Sequence, residues 1–116
     1  MRAVLAVAAG IAFAVPATTA ADTLPPVQVA IRDHTFVPRV VHVKVGQEIV
    51  WLNFDQDPHT VTSGGNNSDD NRWTSSPLIP DGKTFTLRLT QPGSYPYFCK
   101  PHQFQDSMHG TIVVSQ

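Results

Sequence analysis

One stretch near the C-terminus combines the residue types that bind soft, redox-active metal ions. Residues 99–108 contain Cys99, the only cysteine of the chain, together with His102 and Met108. Thiolate and thioether sulfur favour Cu(I), and imidazole nitrogen suits copper in general. Taken singly, such residues more often pack in a core or lie on the surface, but their grouping in one loop predicts that they contribute to one metal site.

The fourth ligand must come from outside this stretch, and His59 is the best candidate. It follows Pro58 directly, at the end of a turn-forming stretch and at the start of a β-type run. A corner stiffened by proline holds the next side chain in a defined position. Two histidines and one cysteine in a trigonal arrangement, with a weak axial methionine, form the blue-copper site. The predicted ligand set is therefore His59, Cys99, His102 and Met108.

Four protein ligands would leave no open coordination position, which distinguishes such a site from a catalytic one. The site therefore predicts an electron carrier and not an enzyme. Zinc is the alternative metal, because two histidines and a cysteine bind it well, but a thioether is a poor zinc ligand. Two other functions stay open: storage or delivery of copper through an exchangeable site, and a secreted interaction module in which Cys99 is free or bridges two chains.

The first 21 residues have the pattern of a secretory signal peptide that is removed from the mature protein. Arg2 precedes an apolar run over residues 3–15, and small residues precede the expected cleavage after Ala20 or Ala21. We therefore expect a periplasmic, monomeric protein whose mature chain is one domain over residues 22–116, without a membrane anchor. The formal net charge of −1 and the absence of a basic stripe argue against binding to nucleic acid.

The rest of the chain alternates between β-type runs and turns, with no convincing helical period. The main runs are residues 27–33, 40–45, 48–53, 84–90, 95–99 and 111–114. With the short run after Pro58, they predict an all-β antiparallel sandwich. We expect the second and third runs to pair as a hairpin, and Trp73 and Leu78-Ile79 to pin the long polar loop that precedes residue 80. His34 and His42 are predicted to be surface residues and not ligands.

Several motifs occur in an order that is typical of one family. They are Phe36-Val37-Pro38, Val43-Lys44-Val45-Gly46, Trp51-Leu52-Asn53-Phe54-Asp55, His59-Thr60-Val61, the run from Pro92 to Cys99 with Pro101-His102, and the run from Met108 to Val114. The chain resembles the small cupredoxins of the plastocyanin, pseudoazurin and amicyanin group over most of the mature chain. The resemblance implies a Greek-key β-sandwich of about 7–8 strands, with Trp51 in its core and one type 1 copper ion at one end.

The resemblance also implies a function. A protein of this kind is a periplasmic blue-copper carrier that moves single electrons between a donor dehydrogenase or reductase and an acceptor cytochrome or oxidase. Its redox partners dock transiently on an apolar patch around the exposed edge of His102. Phe104, Pro101 and Pro80 are the candidate members of that patch.

Two departures from the family pattern bear on the site. The ligand loop has five residues between its histidine and its methionine, which is longer than in amicyanin-like and plastocyanin-like proteins. Gln103, Gln105 or His109 could therefore compete with Met108 as the axial ligand. Thr60 stands where these families usually carry Asn, and its single hydroxyl can replace only part of the hydrogen bonding that ties the two ligand loops together.

Overall fold

The computed structural model describes residues 24–116, so the predicted signal peptide over residues 1–21 lies outside the described residues. The described chain forms eight strands: β1 Val27–Ile31, β2 Phe36–Val37, β3 Val40–Lys44, β4 Glu48–Asn53, β5 Thr62–Ser63, β6 Thr84–Arg88, β7 Gly93–Phe98 and β8 His109–Ser115. Its two helical segments are 3-10 turns of three residues, Lys100–His102 and Asp106–Met108. Within this part of the chain, no helix has the length and apolar character needed to cross a membrane.

The strands form two four-stranded sheets, with the orders β2-β1-β4-β6 and β3-β8-β7-β5. The predicted all-β sandwich is therefore confirmed. Four of the six strand pairs in the described chain are antiparallel, as expected, but β1 pairs with β4 and β3 pairs with β8 in parallel. Both sheets are mixed.

The predicted hairpin between the second and third runs is wrong, because β3 and β4 lie in different sheets. Apolar alternation shows which face of a strand is buried, but not which strand lies beside it. The connection at Gly46-Gln47 crosses from one sheet to the other. Gly46 has a φ of 81°, and both the backbone N–H and the side-chain oxygen of Gln47 hydrogen-bond to Lys44, which closes a tight turn.

The space between the sheets is filled by apolar and aromatic side chains. Trp51 is fully buried there, as predicted, and so is Phe36. Trp51 Nε1 donates a hydrogen bond to Tyr97 Oη at 3.2 Å. His42 is exposed on β3, also as predicted. Leu78 is 55% exposed, so the expectation that it helps to pin the long loop is wrong.

The loops that follow β1, β4 and β7 meet at one end of the sandwich. The parallel register of β1 and β4 pairs Ile31 with Asn53, so both strands end at the same level. The loop after β7 reaches the same place, because Cys99 Sγ lies 3.7 Å from His59 Nδ1. The strand ends therefore bring together residues that are far apart in the sequence.

Candidate metal centre

His59 is held in place by the segment that connects β4 to β5. Its backbone forms an isolated bridge with Ile79, in which His59 N donates to Ile79 O at 3.2 Å and Ile79 N donates back to His59 O at 2.7 Å. The buried side chain of Asn53 closes the turn, because its Nδ2 donates to the backbone oxygens of Asp57 and Ile79, each at 2.9 Å. The His59 side chain is fully buried, so the protein itself defines its position.

The loop after β7 places Cys99 and His102 side by side. Pro101 lies at the start of the 3-10 turn over Lys100–His102, and His102 N donates to Cys99 O at 3.2 Å. The loop closes where Cys99 N donates to Met108 O at 3.0 Å. Cys99 and Met108 are fully buried, whereas His102 is partly buried.

Three of the predicted ligands meet at one point. The distances His59 Nδ1–His102 Nδ1, Cys99 Sγ–His102 Nδ1 and Cys99 Sγ–His59 Nδ1 are 3.2, 3.3 and 3.7 Å, and these three atoms are termed the donor triangle. The point in their plane that is equidistant from them lies about 2.0 Å from each, and ions such as zinc bind imidazole nitrogen at about 2.0–2.1 Å and thiolate sulfur at about 2.3 Å. The donor triangle therefore has the dimensions of a site for one metal ion.

The chemistry of these donors fits copper. Two imidazoles and a thiolate suit copper, whereas hard cations such as Mg²⁺ and Ca²⁺ prefer oxygen ligands. The fully buried thioether side chain of Met108 belongs to the residue whose backbone accepts from Cys99. A soft, buried thioether on a residue that is hydrogen-bonded to Cys99 favours copper over zinc.

Asp55 determines which nitrogen of His59 faces the donor triangle. Asp55 Oδ2 accepts a hydrogen bond from His59 Nε2 at 2.9 Å, so the ring proton lies on Nε2 and the lone pair lies on Nδ1. The same carboxylate accepts from the backbone N–H groups of Asp33 at 2.7 Å and His34 at 2.9 Å. Pairs of this kind fix the tautomer and the orientation of metal-binding imidazoles.

Burial prepares both imidazoles for metal binding. It lowers the pKa of His59, against the opposing effect of the hydrogen bond to Asp55. Burial, and then the neighbouring rings of His34 and His59, lower the pKa of His102, so both rings are neutral near pH 7. Burial raises the pKa of the Cys99 thiol, so a metal ion that binds there must displace the thiol proton.

Thr60 joins the two ligand loops. Its backbone N–H donates to Cys99 Sγ at 3.3 Å, and its Oγ1 accepts from Lys100 N at 2.9 Å. Hydrogen bonds to the cysteine sulfur tune the reduction potential of blue-copper sites. The hydroxyl therefore maintains one connection between the loops at the position where an Asn is usual.

His34 lies against the site, which the sequence did not indicate. Its side chain is 33% exposed, so the prediction of a surface position is partly right, but its ring centroid is 4.4 Å from that of His102 and 5.2 Å from that of His59. His34 Nε2 lies 2.9 Å from Asp57 Oδ2, and Nδ1 lies 3.1 Å from Gln105 Oε1. No local pattern joins these residues, because they belong to three different loops.

Two of the candidate competitors for the axial position have other partners. Gln105 Oε1 hydrogen-bonds to His34. His109 Nε2 donates to Gln103 O at 2.7 Å, and the His109 ring stacks on Phe98 with a centroid distance of 5.8 Å. The side chains of Gln105 and His109 are therefore engaged outside the donor triangle.

Comparisons with known proteins show which family the chain is similar to. A family model described as a cupredoxin-like domain matches residues 3–114. Amicyanin-alpha of Methylorubrum extorquens is 33% identical over an alignment of 124 positions, which covers 98% of this chain and 99% of that protein. A purple cupredoxin from Nitrosopumilus maritimus has a TM-score of 0.68 at 25% identity and covers 77% of this chain and 99% of that chain. A Cu(I) form of an amicyanin variant has a TM-score of 0.66 at 28% identity and covers 78% of this chain and 82% of that chain.

The family model spans nearly the whole sequence, and amicyanin-alpha is matched along nearly all of its own length. The resemblance expected from the sequence motifs is thereby confirmed. The donor triangle at the loop end of the sandwich also has the composition that a type 1 copper ion requires. The chain therefore belongs to the cupredoxin-like family, whose cofactor is one type 1 copper ion.

Proposed function

We propose that the protein is a periplasmic blue-copper electron carrier in which His59, Cys99 and His102 bind one copper ion and Met108 is the axial ligand. The donor triangle carries this proposal, because two imidazoles and one thiolate in a trigonal arrangement are the equatorial set of a blue-copper site. Bound copper would supply the one-electron step by alternating between Cu(II) and Cu(I). The relatives of this chain include amicyanin, an electron-transfer cupredoxin.

Support for Met108 as the axial ligand comes from its backbone and its burial. Met108 O accepts from Cys99 N at 3.0 Å, so the two residues are neighbours, and the Met108 side chain is fully buried. The competing side chains of Gln105 and His109 have hydrogen-bond partners of their own. The longer loop is thus compatible with a methionine ligand.

The protein holds its donors through hydrogen bonds that do not involve the metal. Asp55 orients His59, Thr60 N–H contacts Cys99 Sγ, and a backbone bond folds His102 towards Cys99. Donors held in this way change position little between oxidation states, so the reorganisation that accompanies electron transfer is small. This property favours a carrier over a site that opens for exchange.

Partner docking is proposed around His102, the only ligand candidate that is not fully buried. Phe104, two residues further along the chain, is 86% exposed, and Pro101 and Pro80 are also exposed. A small apolar surface suits the weak, transient complexes of redox proteins. The partners would be a donor dehydrogenase or reductase and an acceptor cytochrome or oxidase, met by an exported monomer, as the signal-peptide pattern of residues 1–21 suggests.

Optical and EPR spectra of the Cu(II)-loaded protein test the proposal. We expect intense visible absorption from charge transfer between the Cys99 thiolate and Cu(II), with reversible loss of colour on reduction. Cys99→Ser should abolish the colour, whereas His42→Ala, which removes an exposed histidine far from the ligand loops in sequence, should not. A colourless copper complex without reversible redox chemistry would contradict the assignment.

Copper storage or delivery is the alternative function, and the partial exposure of His102 together with the long ligand loop keeps it in consideration. The two functions differ in the rate at which copper leaves the folded protein. Rapid transfer to an added chelator would favour storage or delivery. Slow release with repeated redox cycling would favour the carrier.

A further inference from the structure

A second group of metal-binding side chains lies on the solvent side of the donor triangle. It consists of His34, Asp57 and His102, whose donor atoms all lie within 4.8 Å of one another. The side chains of His34 and Asp57 are 33% and 61% exposed, so an ion in solution can reach them. His102 belongs to both groups and therefore connects the surface to the buried donors.

The hydrogen bonds of His34 leave one of its nitrogens facing an anion. Gln105 Oε1 lies 3.1 Å from His34 Nδ1 and Asp57 Oδ2 lies 2.9 Å from His34 Nε2, and both oxygens can only accept. The doubly protonated ring therefore donates to both partners. A metal ion can take the place of the proton on Nε2, because the nitrogen lone pair and the carboxylate oxygen that it exposes are both metal ligands.

The spacing of these two atoms suits a metal ion. Donors 2.9 Å apart that each bind at about 2.0–2.1 Å subtend about 90° at the ion. This is the angle between adjacent ligands in the square-planar or tetragonal geometry of Cu(II), which accepts nitrogen and oxygen donors. The ring of His102, with its centroid 4.4 Å from that of His34, provides a third donor within reach.

We propose that His34, Asp57 and His102 form an outer capture site that binds Cu(II) from solution and passes it to the donor triangle through the shared ring of His102. The inference rests on the proposed copper function. Transfer is a ligand exchange without a redox step: the Cys99 thiolate and His59 replace Asp57 and His34, and the thiol proton passes to solvent. The exchange runs inwards because the inner site replaces a carboxylate, a ligand that suits hard cations, with a thiolate, which is the characteristic ligand of blue-copper sites.

Stopped-flow loading of the full-length apo-protein with Cu(II) tests the capture site through the growth of the charge-transfer band. The variants are Asp57→Asn and His34→Asn; asparagine is chosen because His34 has a φ of 53°, which Asn tolerates. We expect loading to slow by about tenfold in each variant. The final spectrum should equal that of the wild type, because neither residue belongs to the donor triangle.

Two control variants separate capture from general effects. Asp106→Asn removes a carboxylate of the ligand loop that is 93% exposed, and His42→Ala removes an exposed histidine from β3; both should load at the wild-type rate. If Asp106→Asn slows loading as much as Asp57→Asn, net charge explains the effect and the capture site is rejected. Thermal melting establishes that each variant is folded.

Zn²⁺ provides a second readout that does not depend on colour. In Cys99→Ser, where the inner site lacks its sulfur, calorimetry should detect Zn²⁺ binding that is lost when His34→Asn is added. Equal Zn²⁺ affinity with and without the second change, or unaltered copper loading in His34→Asn and Asp57→Asn, would overturn the capture site. Failure of the wild type to develop any charge-transfer band would instead refute the blue-copper function.

Discussion

Replacement of Asp55 by Asn tests how the protein holds its metal-facing imidazole. The Asp55 carboxylate accepts from three N–H groups, those of the Asp33 backbone, the His34 backbone and the His59 ring. Its side chain is only 12% exposed, so water can replace few of these bonds. Asparagine has one oxygen and an amide NH₂ that cannot accept, so at least one of the three N–H groups loses its acceptor.

The expected cost follows from these contacts. A hydrogen bond to a charged group contributes about 1.5–3 kcal/mol, so Asp55→Asn should lower the free energy of unfolding of the apo-protein by about 2–3 kcal/mol. For a domain of this size, that loss lowers the melting temperature by about 10–20 °C. Copper affinity should fall by about 10–100-fold, because His59 loses the partner that fixes its tautomer. Thermal melting by circular dichroism and competition with a Cu(II) chelator measure the two effects.

Asp57→Asn is the matched control for stability. Its carboxylate is 61% exposed, and exposed ion pairs contribute about 0–1 kcal/mol.

The stabilising effect of Asp55 should also depend on pH. Burial acts to raise the pKa of Asp55, but the N–H groups of His34 and Asp33 and the ring of His59 lower it overall. The Asp55 carboxylate therefore stabilises the folded state above its ordinary pKa of 3.8, and this effect is lost as the pH falls through the pKa of the folded state. Unchanged melting and copper affinity in Asp55→Asn would refute this account of the site.

Three further predictions concern packing, the link between the ligand loops and pH. Gly110→Ala should lower the free energy of unfolding by about 1–3 kcal/mol in denaturant titrations, because an added Cβ would lie 2.6 Å from Tyr97 Cζ; a wild-type midpoint would contradict this. Thr60→Val removes the acceptor of the Lys100 N–H and should cost about 1–2 kcal/mol, whereas Thr60→Ser keeps the hydroxyl and should lower the melting temperature less than Thr60→Val does. The apo-protein should be most stable near pH 6.5, in melts over about pH 5 to 8. Burial lowers the pKa values of His59 and His102. Their neutral rings therefore stabilise the folded state above pH 6.5, and this effect is lost as the pH falls through their pKa values in the folded state. His34, whose hydrogen bonds raise its pKa against the effect of burial, stabilises below pH 6.5 and loses this effect as the pH rises through its folded value. A free energy of unfolding that rises steadily from pH 5 to 8 would contradict the raised pKa of His34.

The ligand loop could be predicted from the sequence because its donors are neighbours in the chain. Cys99, His102 and Met108 lie within ten residues, and a thiol, an imidazole and a thioether this close have few common uses other than binding a soft metal. Strand alternation was equally informative about burial. It predicted correctly that His42 is exposed, and Val41 and Val43 on either side of it are buried.

Strand pairing was not accessible in the same way. Alternation with a period of two defines the two faces of a strand, but any neighbour with a similar pattern satisfies it. The pattern therefore gave no reason to separate β3 from β4, and both parallel pairs were missed. Closing the two sheets over one core selects the pairing, and that is a property of the whole chain.

The sequence alone determined the donors: one thiol, two imidazoles and a thioether, on a β-scaffold with proline-stiffened loops. Only the tertiary structure decided how those donors are held and what surrounds them. Asp55 orients His59 and His34 lies against His102 because the strand register brings three separate loops to the same end of the sandwich. Hydrogen bonds act over about 3 Å, so contacts between such loops exist only once the sheets have formed, and no local pattern in the chain encodes them.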